Sequence, residues 1–369
     1  MEYEGVRWFR QRLALSLVSQ KPITFTDIRV NAESPGIRAY ETKVLEMVDQ
    51  CTDGTEITID SSGTQVSFDP GQLIGGELTF NCGQSRCISY FLEFLLMVAP
   101  FSKDGFNGAR LLGCTNGGVD VSTDPPVDFY RITALPFFKR CLPEWTVSLS
   151  VDRRGLPGGQ NGQVTFTAQS LYKIPPLNAT EVQRFKRVRG LAYTRGVNPA
   201  FARRTMDSAR GVLHTLLPDV WIYQDVAKGE GHGFGLCLMA ETINGLSKGS
   251  FVEYDPKAEV GGETPFEYLG RKCAQRLLLE IAVGGVCDSN LQVFPLLWMA
   301  AADEVEVSQV VLGHLTPYSA AMIDNLHDFL QAKFHISEMK ESLECGKSRS
   351  TFHVKCLGCG LQNTAKKVC

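Results

Sequence analysis

One order of elements, helix–strand–helix–strand–strand, recurs three times along this chain, beginning near residues 6, 86 and 289. Such a chain is confined to architectures in which one unit is built repeatedly and packs on its own copies. In the first unit Phe9, Leu13 and Leu17 recur four apart, which predicts a helix over 6–19. A strand over 23–30 follows Pro22, then a helix over 40–48 and a hairpin with strands at 56–60 and 65–68. The second unit adds a short strand at 78–81 before its helix at 88–98. It continues with a strand at 109–114, a helix from Asp124-Pro125-Pro126 to about Phe138, and a hairpin of 146–153 with 163–168. The third unit has a helix at 291–302, where Pro295 either kinks it or moves its start. A strand at 308–312, a helix at 317–330 and strands at 333–338 and 351–357 complete it.

The first two units start 80 residues apart and the last two 203 apart, so roughly 100 residues interrupt the array. These read as a small α/β unit of their own. Its expected elements are strands at 189–193, 220–223 and 234–240, a helix at 199–216, and a helix at 264–283 closed by Gly284-Gly285. The expected organisation is 1–175 for the first two units, 176–285 for the insert and 286–369 for the third unit. The fold class is α/β (α+β).

Composition excludes several functions. Thirty-seven basic residues against 40 acidic ones give a net charge of −3, so bulk charge does not coat nucleic acid, although a local basic face is open to it. The apolar run near the N-terminus spans only 13–18 behind Glu2 and Glu4, unlike a signal peptide. The longest apolar stretches, 90–101 and 291–302, fall short of the ~18–20 residues of a membrane span. No membrane partner is expected. The 12 cysteines are scattered beside apolar residues and read as buried thiols of a reducing compartment.

Five motifs in order carry a resemblance. They are Ile28-Arg29 with Pro35-Gly36-Ile37; Pro70-Gly71 with Gly75-Gly76; Thr115-Asn116 with Pro125-Pro126-Val127-Asp128-Phe129; Arg153-Arg154-Gly155 with Pro157-Gly158-Gly159; and Arg189-Gly190-Leu191-Ala192-Tyr193. With three units and an insert before the last, the chain resembles the RNA 3′-terminal phosphate cyclase family over nearly its whole length. The segments 189–199, 207–210 and 315–318 are similar to the cyclase-like branch of small-subunit ribosome assembly factors.

The resemblance implies a histidine nucleophile that takes adenylate from ATP and passes it to an RNA 3′-phosphate. Imidazole titrates near ~6.5 and is largely a free base with an open nitrogen lone pair at neutral pH, whereas a phenol near ~10 stays protonated and is a weak nucleophile. At the matching helix start this chain has Tyr318. His314 lies four residues earlier, beyond Pro317, at a strand end from which it would point elsewhere. The family aspartate that precedes the third unit's first helix falls at Asn290, which carries no charge. The family's glycine-rich N-terminal loop reads Glu4-Gly5-Val6-Arg7-Trp8, and the loop at 31–34 is neutral to acidic. Glu4, Arg10, Arg29 and Asn116 match family positions and are expected to keep a vestigial anion pocket. Arg10 and Arg29 could equally be surface or ion-paired residues.

The expectation is a cyclase-like pseudoenzyme without cofactor or metal. The resemblance further implies the nucleolus of the nucleus, a Bms-type ribosome-biogenesis GTPase and pre-ribosomal particle proteins as partners, and contact with pre-rRNA or snoRNA. The rival is an active enzyme, either a divergent cyclase or a pre-rRNA endonuclease. Gly346-Lys347-Ser348 lacks the glycine and helix of a phosphate-binding loop. Gly229–Gly235 reads as a flexible turn, and Cys345, His353, Cys356 and Cys359 make a weak zinc set. A positive signal is Arg184, Lys186, Arg187, Arg189, Arg195, Arg203, Arg204 and Arg210, opposed within 184–210 only by Asp207. Two readings stand: a surface for RNA or an acidic partner, or internal pairing, for instance with Glu241 or Glu267.

Overall fold

The computed structural model describes residues 1–117, 124–227, 232–255, 262, 264–342 and 348–366. Gly229-Glu230-Gly231, Cys345 and Gly346-Lys347 lie outside them.

Three four-stranded sheets share one pattern of pairing. In the first, the order is Glu2–Glu4, Ile23–Thr26, Val66–Asp69, Glu56–Ile59; in the second, Thr79–Cys87, Phe106–Cys114, Gly162–Ala168, Val147–Arg153. The third runs Asn178–Ala179, Val307–Leu312, Ser348–Leu357, Phe334–Ser342. Each time the first two strands are parallel and the rest antiparallel. A parallel pair needs a crossover, and the helices Phe9–Ser19, Ile88–Val98 and Val293–Ala301 fill that place in the three units. Residues 178–179, assigned from sequence to the insert, pair with Gln309 and Val310, so the third sheet takes its first strand from before the insert.

The helices Ile88–Val98 and Val293–Ala301 are buried on every side, as helices apolar all round must be. Around the second of these, Phe138 sits 4.7 Å from Phe294 and 5.2 Å from Trp298, ring centre to ring centre, in edge-on contacts. Pro295 falls in the first turn, where its missing N–H costs little. The helix after Pro126 runs through a π-helical stretch, Tyr130–Ala134, just before Pro136.

The insert has a sheet ordered Val220–Ala227, Phe185–Arg195, Gly233–Thr242, Ser247–Glu253, with the helices Ala200–Leu213 and Pro265–Val283 packed over one face and a core of its own. A side chain at Gly270 would lie 2.2 Å from the Thr205 carbonyl, so the two helices touch through glycine. The strand Ser247–Glu253 was not expected, because Ser247-Lys248-Gly249-Ser250 is polar. All four residues are buried, and Lys248 donates to the Glu280 carbonyl at 2.7 Å and to the Gly284 carbonyl at the helix end. The first unit's strand also ends early, at Thr26 rather than Val30. Asp27 and Arg29 are left-handed, with φ of 52° and 51°, which breaks the extended run.

Candidate functional site

The helix Pro317–Leu330 begins with Thr316, whose side chain accepts the Ser319 N–H at 3.1 Å. That cap presents Tyr318, the second helical residue, to a cleft of about 340 Å³ lined also by Trp8, Arg10, Arg29, Arg86 and Tyr90. Tyr318 and Arg10 converge on Glu93, the one charge in the apolar helix Ile88–Val98. Glu93 accepts the Tyr318 hydroxyl at 2.5 Å, Arg10 Nη1 at 2.9 Å and the Tyr130 hydroxyl at 3.2 Å. Arg10 also donates to the Tyr90 carbonyl at 2.9 Å and lies 4.0 Å over the Tyr90 ring.

Burial, reinforced by the Glu93 carboxylate, pushes the Tyr318 phenol well above its ordinary value. Tyr318 therefore stays protonated at neutral pH and donates. Burial works against the charge on Arg10, but Glu93 and the surrounding tyrosines outweigh it and keep the guanidinium protonated.

The other cations of the cleft are likewise engaged. Arg86 Nε meets Asp124 Oδ2 at 2.7 Å, and its guanidinium lies 3.9 Å over Tyr90. Arg29 forms a fork onto Glu41, at 2.8 and 2.5 Å, and donates to the Gly36 carbonyl at 3.1 Å. A phosphate entering here would have to displace carboxylates already in bidentate or buried pairs. Among the described residues, neither histidine nor cysteine lines the cleft.

The remaining expected residues are dispersed. Glu4 is exposed at the end of its strand and is absent from the lining. Asn290 turns back onto Asp288, with its N–H 3.0 Å from Oδ1. His314 is exposed, 6.4 Å from the Phe352 ring, and outside the cleft. Asn116 belongs to a second cleft, of about 270 Å³, between the second unit and the insert, with Leu156, Tyr193, Phe234 and Glu253. The expected four-residue anion pocket is thus not assembled: Arg10 and Arg29 share one cleft, and Asn116 and Glu4 lie elsewhere.

Arg154, 5% exposed, organises that second junction. Its Nη1 meets Asp128 Oδ2 at 2.5 Å and Asn116 Oδ1 at 2.9 Å, and its Nη2 meets Asp225 Oδ2 of the insert at 2.5 Å. Arg195 donates to the Arg154 carbonyl. Nearby, the Tyr193 hydroxyl donates to Glu253 at 3.1 Å. Burial pushes the Glu253 carboxyl up to about 7. Its folded value lies above its unfolded one, so its contribution to stability is present below ~4.3 and lost as pH rises through about 7. Glu253→Gln keeps an acceptor for Tyr193. It is expected to leave the melting temperature unchanged at pH 4 and raise it at pH 8, by the equivalent of roughly 1–3 kcal/mol. Equal melting temperatures at pH 8 would contradict this.

The basic segment is mostly paired within the insert. Lys186 and Arg187 share Glu241, at 2.7 and 2.6 Å, Arg189 binds Asp219 at 2.8 Å, Arg204 binds Glu267 at 2.8 Å, and Arg210 reaches Asp207 at 3.2 Å. Arg195 is buried, whereas Arg184 and Arg203 are exposed. The ten described cysteines are free, nine of them buried, and no group of three metal-ligating side chains occurs among the described residues. No described helix is long and apolar enough to cross a membrane.

The sequence profile of RNA 3′-terminal phosphate cyclase matches residues 1–336. The chain belongs to the RNA 3′-terminal phosphate cyclase family. Within it, the chain is 37% identical to the RNA 3′-terminal phosphate cyclase-like proteins of Mus musculus and Homo sapiens. Each alignment covers 99% of this chain and 97% of the relative. It is 32% identical to the rRNA processing protein rcl1 of Schizosaccharomyces pombe, over 99% of this chain and 98% of that one. The mixed sheets agree with the cyclase family fold. Sequence reasoning missed Glu93 and the junction role of Arg154. A lone carboxylate inside an all-apolar helix is itself a signal, because such a charge must find partners.

Proposed function

We propose that this chain is a non-catalytic cyclase-like protein that serves rRNA maturation towards the small ribosomal subunit. The observation that carries the reading is the Tyr318–Glu93–Arg10 cluster. Where the family resemblance places a histidine nucleophile, a half-buried phenol is held protonated by desolvation and by a carboxylate that also neutralises the neighbouring guanidinium. Such a group is not ionised at neutral pH and is a weak nucleophile toward ATP. Asn290, at the family's aspartate position, and the engaged Arg29 add to this.

A role in rRNA processing is supported by the name of the fission-yeast relative. The finer reading follows from the resemblance: residence in the nucleolus, a Bms-type GTPase as partner, and assembly with pre-ribosomal particle proteins and pre-rRNA or snoRNA. Depleting the protein in its own cells should cause unprocessed 18S precursors to accumulate. Re-expression of Tyr318→Phe, which lacks the hydroxyl, should restore processing, and the tagged chain should sediment with pre-ribosomes and the GTPase. Normal 18S maturation after depletion would overturn the role in rRNA. Failure of Tyr318→Phe, folded and expressed normally, would overturn the non-catalytic reading.

A further inference from the structure

The strand Val220–Ala227 lies at the edge of the insert's sheet. Its Val220 and Ile222 point into the insert core with Val188 and the helix residues Ala202 and Met206. Alternation therefore sends Trp221 and Tyr223 to the opposite face. The helical segment 127–134 of the second unit packs on that face only at the strands Gly233–Thr242 and Ser247–Glu253, where Phe129 meets Phe251 at 5.4 Å, and leaves this edge open. They are 59% and 58% exposed, and their rings lie 6.4 Å apart and only 17° from parallel. Two large aromatic rings left in water side by side cost burial that the fold could have used, so they mark a binding face.

The residues beside them say what kind of ligand fits. Trp221 pairs in register with Arg189 and Tyr223 with Leu191, so Arg187 and Arg189 line the same face. Lys186 and Arg187 have a single carboxylate between them, Glu241, and exposed Arg184 stands at the near end. Arg189 is matched by Asp219, and the outward acid Asp225 is consumed by Arg154. The face thus carries surplus positive charge next to two open π-faces. Bases stack on such rings whatever their sequence, and arginines meet the phosphates between them.

We propose that the outer face of the insert's sheet binds a segment of single-stranded RNA, with bases stacked on Trp221 and Tyr223 and phosphates met by Arg184, Lys186 and Arg187. This deepens the rRNA-maturation reading and rests on it for RNA as the natural ligand. The site lies apart from the Tyr318 cleft and needs no chemistry there.

The test uses the full chain and a fluorescein-labelled 12-nucleotide uridine-rich RNA, with binding read by anisotropy at two salt concentrations. Trp221→Ala and Tyr223→Ala are each expected to weaken binding about tenfold, while Trp221→Phe retains most of it. Arg184→Ala with Arg187→Ala should weaken binding and flatten its salt dependence, whereas the aromatic variants should leave the salt slope unchanged. A 12-base-pair duplex, whose bases are already stacked, should compete poorly. Because both rings are exposed, the melting temperatures of the aromatic variants should match the parent. Wild-type affinity in Trp221→Ala/Tyr223→Ala, or loss of GTPase binding with RNA binding intact, would overturn the proposal in favour of a protein ligand or none. The depletion experiment is independent of it: normal 18S maturation would sink the rRNA role, and an unaffected anisotropy titration would sink the platform alone.

Discussion

Arg154→Ala is expected to destabilise the protein by about 3–5 kcal/mol, read by urea unfolding at neutral pH. Arg154 and Asp128 have side-chain exposures of 3% and 1%, and they meet at 2.5 Å. Removing the guanidinium leaves buried Asp128 with only the half-exposed Arg131, at 2.7 Å, so the desolvation penalty of that carboxylate is only partly offset. The same change releases Asp225 and Asn116, so the insert loses a charged tie to the second unit. Arg154→Lys should recover part of the loss, because an ammonium keeps the charge but cannot reach Asp128 and Asp225 together as a planar fork does. A loss under ~1 kcal/mol for Arg154→Ala would show that the tie is solvated and slack.

Glu93→Ala is expected to cost a similar ~3–5 kcal/mol. It leaves Arg10 a largely buried cation without its carboxylate, and it removes the acceptor of both Tyr318 and Tyr130. Combining Glu93→Ala with Arg10→Met should return much of that stability, since the unpaired charge disappears with its partner. Additive losses in the double variant would mean that Glu93 acts by packing rather than by pairing. The outcome bears on function as well. A cluster whose removal unfolds the protein is an internal brace, and its tyrosine and arginine are then structural in effect.

How much of this was legible in the chain differs from element to element. The helix over 317–330 was read to the residue, because Thr316-Pro317 caps it and its apolar face repeats regularly. The buried helices at 88–98 and 293–301 were read from apolar runs, the first interrupted by Glu93 and the second expected over 291–302. The strand over 247–253 was not, since its first half is polar and is buried through Lys248 and through Gly249, whose lack of a side chain admits Thr133. Tertiary partners decide such a segment, and local pattern cannot name them.

The candidate site followed the same division. Tyr318 and Arg10 were picked out one by one from residue type and resemblance. That Glu93 would join them, 83 residues from Arg10 and 225 from Tyr318, depends on packing between units. Asn116 was grouped with them by resemblance, yet the structure places it at the insert junction. The basic segment showed surplus charge in sequence, and the acids that neutralise most of it, Asp219, Glu241 and Glu267, come from later in the insert.

The central claim is that the cyclase chemistry is absent. Purified protein is incubated with radiolabelled ATP and a 3′-phosphate RNA, and both covalent adenylate on the chain and 2′,3′-cyclic ends on the RNA are measured. Neither is expected, from the wild type or from Tyr318→His, because Glu93, Arg29 and Arg86 remain tied to their partners and Asn290 remains uncharged. An adenylyl-protein band from the wild type, above all one lost in His314→Ala, would contradict the account.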